Sequence, residues 1–136
     1  MKTQTLALLL LMAACDNSMQ EMSEGKFFDR KNDSVCKTVE DYCLPLHGTI
    51  LYADDACQNA VAGKTTDGSI SKYVSQQDNG YFTFYELGYS EPFTGGSLYF
   101  TKDIAGKKCT PYIVSNEELS FRHVVDSFKN GSKFKL

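Results

Sequence analysis

The sequence predicts an all-β domain: a small antiparallel sheet, sandwich or partly open barrel stapled by disulfides, with room for one short helix near the C-terminus. Three observations carry this. From Val35 onward the chain is punctuated by turn signals at short intervals, Leu46-His47-Gly48, Thr66-Asp67-Gly68, Asp78-Asn79-Gly80, Gly95-Gly96, Ala105-Gly106 and Asn130-Gly131. Between them lie short runs rich in β-branched and aromatic residues. Four cysteines, Cys36, Cys43, Cys57 and Cys109, occupy the same stretch.

Asn79-Gly80 is the strongest turn, because a type I′ hairpin needs two positive φ angles and this dipeptide supplies them at low cost. It joins a strand at 72–76 to one at 81–89. Further strands are expected at 48–52, 96–101 and 111–114. The segment 115–129 is ambiguous. Ser115 and Glu118 form a capping-box pattern, and Phe121, Val124, Val125 and Phe128 recur at helical spacing. Phe121, His123 and Val125 also alternate as in a strand; the local signals lean to helix.

With 136 residues the chain is long enough for one ordinary domain and too short for two. Hydrophobic residues at 42% and charged residues at 23% are globular values and argue against a disordered chain. The net charge of −3 argues against nucleic acid or a polyanion as partner. Acid is concentrated at 16–55, whereas the stretch 119–136 holds Asp126 against Arg122, Lys129, Lys133 and Lys135.

The front of the chain has a different grammar. Lys2 is followed by an unbroken apolar run from Leu6 to Ala14, and then by Cys15. Nine apolar residues span only about 14 Å as a helix, far short of the roughly 30 Å hydrocarbon core, so this run is too short for a permanent span. Met12-Ala13-Ala14-Cys15 resembles the lipobox of bacterial lipoproteins, with Met12 where that family usually has leucine. The resemblance implies a signal peptide at 1–14, diacylglyceryl transfer to the Cys15 thiol, and an extracytoplasmic domain anchored to the bacterial cell envelope by acyl chains such as palmitate. Either membrane is compatible with it. Giving Cys15 to lipid leaves an even set of four thiols in a compartment that favours disulfides. The lipid chains hold the protein firmly, at about 0.8 kcal/mol per buried methylene.

Residues 15–34 read as the lipidated cysteine and a flexible tether, since 16–34 is polar and patternless apart from Phe27 and Phe28. Such a coil reaches roughly 25 Å. The single β-rich domain is expected at 35–136. Four cysteines permit three pairings; the expected one is Cys36–Cys43 with Cys57–Cys109. By loop entropy the first contributes about 2.5 kcal/mol and the second about 4 kcal/mol. Cys43-Leu44-Pro45, the run from Leu51 to Cys57, and Gly106 before Cys109 resemble cysteine-bearing repeats of uncharacterised secreted β-rich proteins from myxobacteria and their predatory relatives. That resemblance implies fold and compartment and carries no functional residues.

No catalytic constellation emerges. Gly63-Lys64-Thr65 lacks the upstream glycine of a phosphate-binding loop and reads as a plain loop. Asp54, Asp55 and Asn59 lack the calcium-loop pattern and read as a strand-end turn. His47 reads as a turn residue and His123 as a partly buried core histidine, without the local spacing of a metal site. Neither a metal nor any other cofactor is implied, and the chain reads as a non-enzyme. The unusual feature is aromatic concentration from Tyr73 to Phe100. Along 81–89 the alternation puts Phe82 and Phe84 on one face, expected inward, and Tyr81, Tyr85 and Tyr89 on the other, expected outward. An exposed tyrosine face suits a protein or glycan partner. The leading expectation is therefore an envelope lipoprotein that binds such a partner through Tyr81, Tyr85 and Tyr89. The alternative is an inhibitor or immunity lipoprotein that blocks a cell-wall-degrading enzyme.

Overall fold

The computed structural model describes residues 19–23, 25–78, 80–90, 97–101, 108–113 and 121–136. The lipobox with Cys15, the Gly95-Gly96 and Ala105-Gly106 turns, and the capping pattern at Ser115 lie outside them. The described residues form two antiparallel sheets and a single 3-10 turn at Ser132–Phe134. The first sheet holds β1 (Met19–Ser23), β2 (Lys26–Asp29), β3 (Ser34–Val39) and β4 (Tyr42–Pro45), paired in chain order. The second holds β5 (Gly48–Tyr52), β6 (Ala60–Thr65), β7 (Tyr73–Asp78), β8 (Tyr81–Ser90), β9 (Leu98–Thr101), β10 (Cys109–Tyr112) and β11 (Arg122–Phe128), in the order β10-β9-β5-β6-β11-β8-β7.

Four strands lie where the turn signals put them, β5, β7, β8 and β9, and β10 begins two residues before the expected 111–114 and ends at Tyr112. The Asn79-Gly80 hairpin is present, with Asp78 opposite Tyr81 and Gly80 at φ +83°. Three readings are corrected. Residues 19–34 are not a tether, because β1 and β2 occupy most of them. Phe27 and Phe28 stand opposite Cys36 and Val35 on β3, and this apolar pairing is what the polar composition conceals. Gly63-Lys64-Thr65 is the end of strand β6 rather than a loop, with Gly63 opposite both Ile50 and Arg122. The described part of 115–129 is strand, not helix. The pairing of β11 with β8 is interrupted twice, at 122–124 and 124–126. The first interruption places its extra residue on β8 and the second on β11. Phe121 and Phe128 join clusters on one face of the sheet and Val124 a cluster on the other, so apolar residues on both faces of β11 mimic a helical spacing.

The larger sheet curls on itself and stays open. Strands β5 and β7 lie four places apart in the sheet order, yet His47 and Ser75 form a parallel bridge and the Ser75 N–H donates to the Leu46 carbonyl at 2.9 Å. Ile50, Tyr52, Val74, Tyr85 and Leu87 accordingly share one buried cluster inside the curl. Gly48 permits the close approach: a Cβ there would stand 2.7 Å from the Val74 Cβ and 2.8 Å from the Lys64 carbonyl oxygen.

On its outer face the sheet packs in two places. Leu51, Ala62 and Phe121 form one cluster. Tyr73, Phe84 and Phe134 form the other, joined by Tyr42 and Leu44 from the four-stranded sheet. Buried serines stitch the sheets together. Ser71 Oγ accepts the Val35 N–H, Ser34 Oγ accepts the Tyr73 N–H, and Ser75 Oγ donates to the Pro45 carbonyl, at 2.8 to 2.9 Å. Cys36–Cys43 lies across the β3–β4 hairpin and is fully buried, whereas Cys57–Cys109 ties the loop after β5 to edge strand β10 and is half-buried.

Candidate functional site

The larger sheet is a middle layer, and this decides where the tyrosines of β8 go. Phe84 faces the four-stranded sheet, while Tyr85 and Leu87 face the inside of the curl. Both faces of the strand are therefore covered at its centre. Tyr85 is 7% exposed, whereas Tyr81 and Tyr89 are 74% and 64% exposed. These two are eight residues apart on an extended strand, about 26 Å at ~3.3 Å per residue. The expectation of one exposed face of Tyr81, Tyr85 and Tyr89 is thus corrected: two tips flank a buried centre. Tyr89 packs on His123, with ring centroids 4.7 Å apart.

Tyr85 does reach a concave surface. At one mouth of the curl, Tyr52, Gln58, Gln76, Thr83, Tyr85 and Thr101 line a cleft of about 340 Å³, with the Cys57–Cys109 disulfide along its wall. The Tyr52 hydroxyl lies 3.2 Å from Gln76 Oε1 and 3.4 Å from the Tyr85 hydroxyl, and Gln76 Nε2 donates to the Gly48 carbonyl at 3.4 Å. The described residues lining the cleft offer hydroxyls and carboxamides that both donate and accept, two tyrosine rings, and no charged side chain.

Sequence reasoning missed Tyr52, Gln76, Gln58, Thr83 and Thr101, because they come from β5, β7, β8, β9 and the 53–59 loop and share no local pattern. The one available signal was Tyr85 itself, assigned to the correct alternating set and to the wrong surroundings.

The other candidates have structural roles. The Asp54 carboxylate accepts the N–H groups of Asn59 at 2.8 Å and Gln58 at 3.0 Å, so it caps the 54–59 turn. The Asn59 N–H holds that carboxyl below its ordinary range, against an opposing desolvation and with help from Gln58. Asp55 and Asn59 are exposed on the same turn. His47 is exposed at the entry to β5, its carbonyl accepting from the Thr66 N–H and hydroxyl. His123 is partly buried against Tyr89. Among the described residues no group of three or more His, Cys, Asp or Glu side chains is placed to hold a metal ion. Comparison of the chain with protein-family models, with curated proteins and with solved structures finds no match.

Proposed function

We propose that this chain is a non-enzymatic lipoprotein of the bacterial envelope whose curled sheet binds a glycan in the Tyr52–Gln76–Tyr85 cleft. The hydroxyl- and amide-lined cleft, with no charged side chain among its described lining residues, is the observation that carries the reading. A sugar ring presents hydroxyls that donate and accept at once and a C–H face that packs on an aromatic ring. Side-chain amides, threonine hydroxyls and tyrosines answer both demands without the desolvation cost of burying a charge. The anchor rests on the apolar run and Met12-Ala13-Ala14-Cys15. An even set of four remaining cysteines, joined in two disulfides, suits an oxidising compartment.

The test is binding of soluble cell-wall glycan strands and of neutral oligosaccharides to the purified chain and to two variants. Tyr85→Phe keeps the ring and removes the hydroxyl, and Gln58→Ala trims an exposed part of the rim. Each variant is expected to weaken binding about tenfold, since one hydrogen bond contributes about 1 to 1.5 kcal/mol. Binding that neither substitution alters places the contact elsewhere and sinks the proposal.

A further inference from the structure

The opposite end of the curl holds a second hollow, of about 250 Å³, with a different chemistry. Lys64, Ser69, Ile70, Ser71, Ser90 and Arg122 are among the residues that line it, and none of its described lining residues is a carboxylate. Arg122 opens strand β11 and is half-buried. Its Nε donates to the Gly88 carbonyl at 2.5 Å and its Nη1 to the Ser71 carbonyl at 2.8 Å. Both acceptors are neutral, so these bonds orient the guanidinium without cancelling its charge, and neither of them uses Nη2. Lys64 adds a second cation to the wall, its ammonium 4.6 Å from the Phe121 ring centroid.

From this arrangement we infer a binding site for a small oxyanion, a carboxylate or phosphate group, anchored on Arg122. A half-desolvated guanidinium gains most from an anion, and its planar fork matches two oxygens of such a group. The Ser90 hydroxyl stands on the wall to donate to a remaining oxygen, whereas the Ser69 hydroxyl is taken by Asp67. The backbone clamp on Arg122 supplies preorganisation, because the side chain is already ordered before a ligand arrives. The acidic net charge of the chain does not oppose this, since a single oxyanion answers to local field rather than to the whole molecule. The site is independent of the glycan cleft and stands or falls without it.

The test is a titration of the ¹⁵N-labelled, disulfide-bonded chain with sodium phosphate and, separately, sodium acetate, against sodium chloride at matched ionic strength. Saturable amide shifts at Gly68, Ser69, Ser90 and Arg122 are expected. Shifts with phosphate alone assign the phosphate group, and shifts with both anions assign a general oxyanion site. Arg122→Gln should abolish them. Because Arg122 also clamps two carbonyls, Ile70→Glu is the second variant: Ile70 is 83% exposed on the wall, so a carboxylate there leaves the core intact and should weaken binding about tenfold through like-charge repulsion. Shifts no larger than those of chloride, or shifts unchanged by Ile70→Glu, overturn the inference.

Discussion

Asp67 shows how one side chain links parts of the fold that are far apart in sequence. Its Oδ2 accepts from Lys26 Nζ at 2.9 Å, tying β2 to the loop after β6, and its Oδ1 accepts from the Ser69 N–H and hydroxyl. Partial burial pushes the carboxyl upward, but the hydrogen bonds from Lys26 and Ser69 and the Lys26 charge outweigh it and hold the pKa well below 3.8. A carboxyl depressed in the folded state contributes stability that is fully present above its ordinary pKa and lost as the pH falls through the range below it. About a third of each side chain is exposed, so solvent screening limits the pair to about 1 kcal/mol. Denaturant unfolding of wild type and Asp67→Asn should show that gap at pH 6 and a shrinking gap below pH 4. A gap constant from pH 6 to pH 2 contradicts this account. None of it was legible in advance: Thr66-Asp67-Gly68 announces a turn, but the lysine that answers Asp67 is 41 residues away.

At the scale of elements, the C-terminal turn and the two disulfides carry the clearest consequences. The tail Lys133-Phe134-Lys135-Leu136 closes the fold. Phe134 is 2% exposed against Tyr73 and Phe84, Lys133 lies over the Tyr73 and Phe128 rings, and the Leu136 N–H donates to the Asp41 carbonyl. Phe134→Ala should therefore cost about 3 to 5 kcal/mol in denaturant unfolding, whereas a free tail would lose nothing. The disulfides differ in access rather than kind. Cys36 and Cys43 are 1% and 0% exposed, and Cys57 and Cys109 are half-buried. Under native conditions a mild thiol reductant should open Cys57–Cys109 first and spare Cys36–Cys43, as read by differential alkylation and mass spectrometry; the reverse order refutes it. Hairpin β7–β8 was readable because Asn-Gly turns are local. β11 was misread because both of its faces are covered, Val124 on one and Phe121 and Phe128 on the other, and a bulge near Val125 breaks its period.

For the whole molecule, the position of β1 changes what the proposed anchor implies. A nineteen-residue coil would hold the domain well clear of the bilayer, but the first sheet begins at Met19, and three residues separate it from Cys15. Four extended steps cover at most about 14 Å, which sets the four-stranded sheet close to the headgroups of whichever membrane holds the lipid. Cys15→Ser should move the protein from the membrane fraction to the soluble fraction and abolish incorporation of a clickable palmitate analogue. Unchanged labelling would remove the lipid anchor from the proposal.

By itself the sequence determined what depends on neighbours in the chain. These are the all-β class, the Asn79-Gly80 hairpin, strands β5, β7, β8 and β9, and the alternation that puts Tyr85 and Phe84 on opposite faces. Turn geometry and side-chain period are local properties, so they survive without a fold. Only the tertiary structure decided which faces are covered. Tyr85 looks outward on an isolated strand and becomes interior once β7 closes on β5. Phe27 and Phe28 look like strays in a tether and become a strand once β3 lies beside them. The cleft of Tyr52, Gln76 and Tyr85 and the hollow around Arg122 exist because a sheet of seven strands curls, and curvature belongs to the assembled sheet rather than to any segment of it.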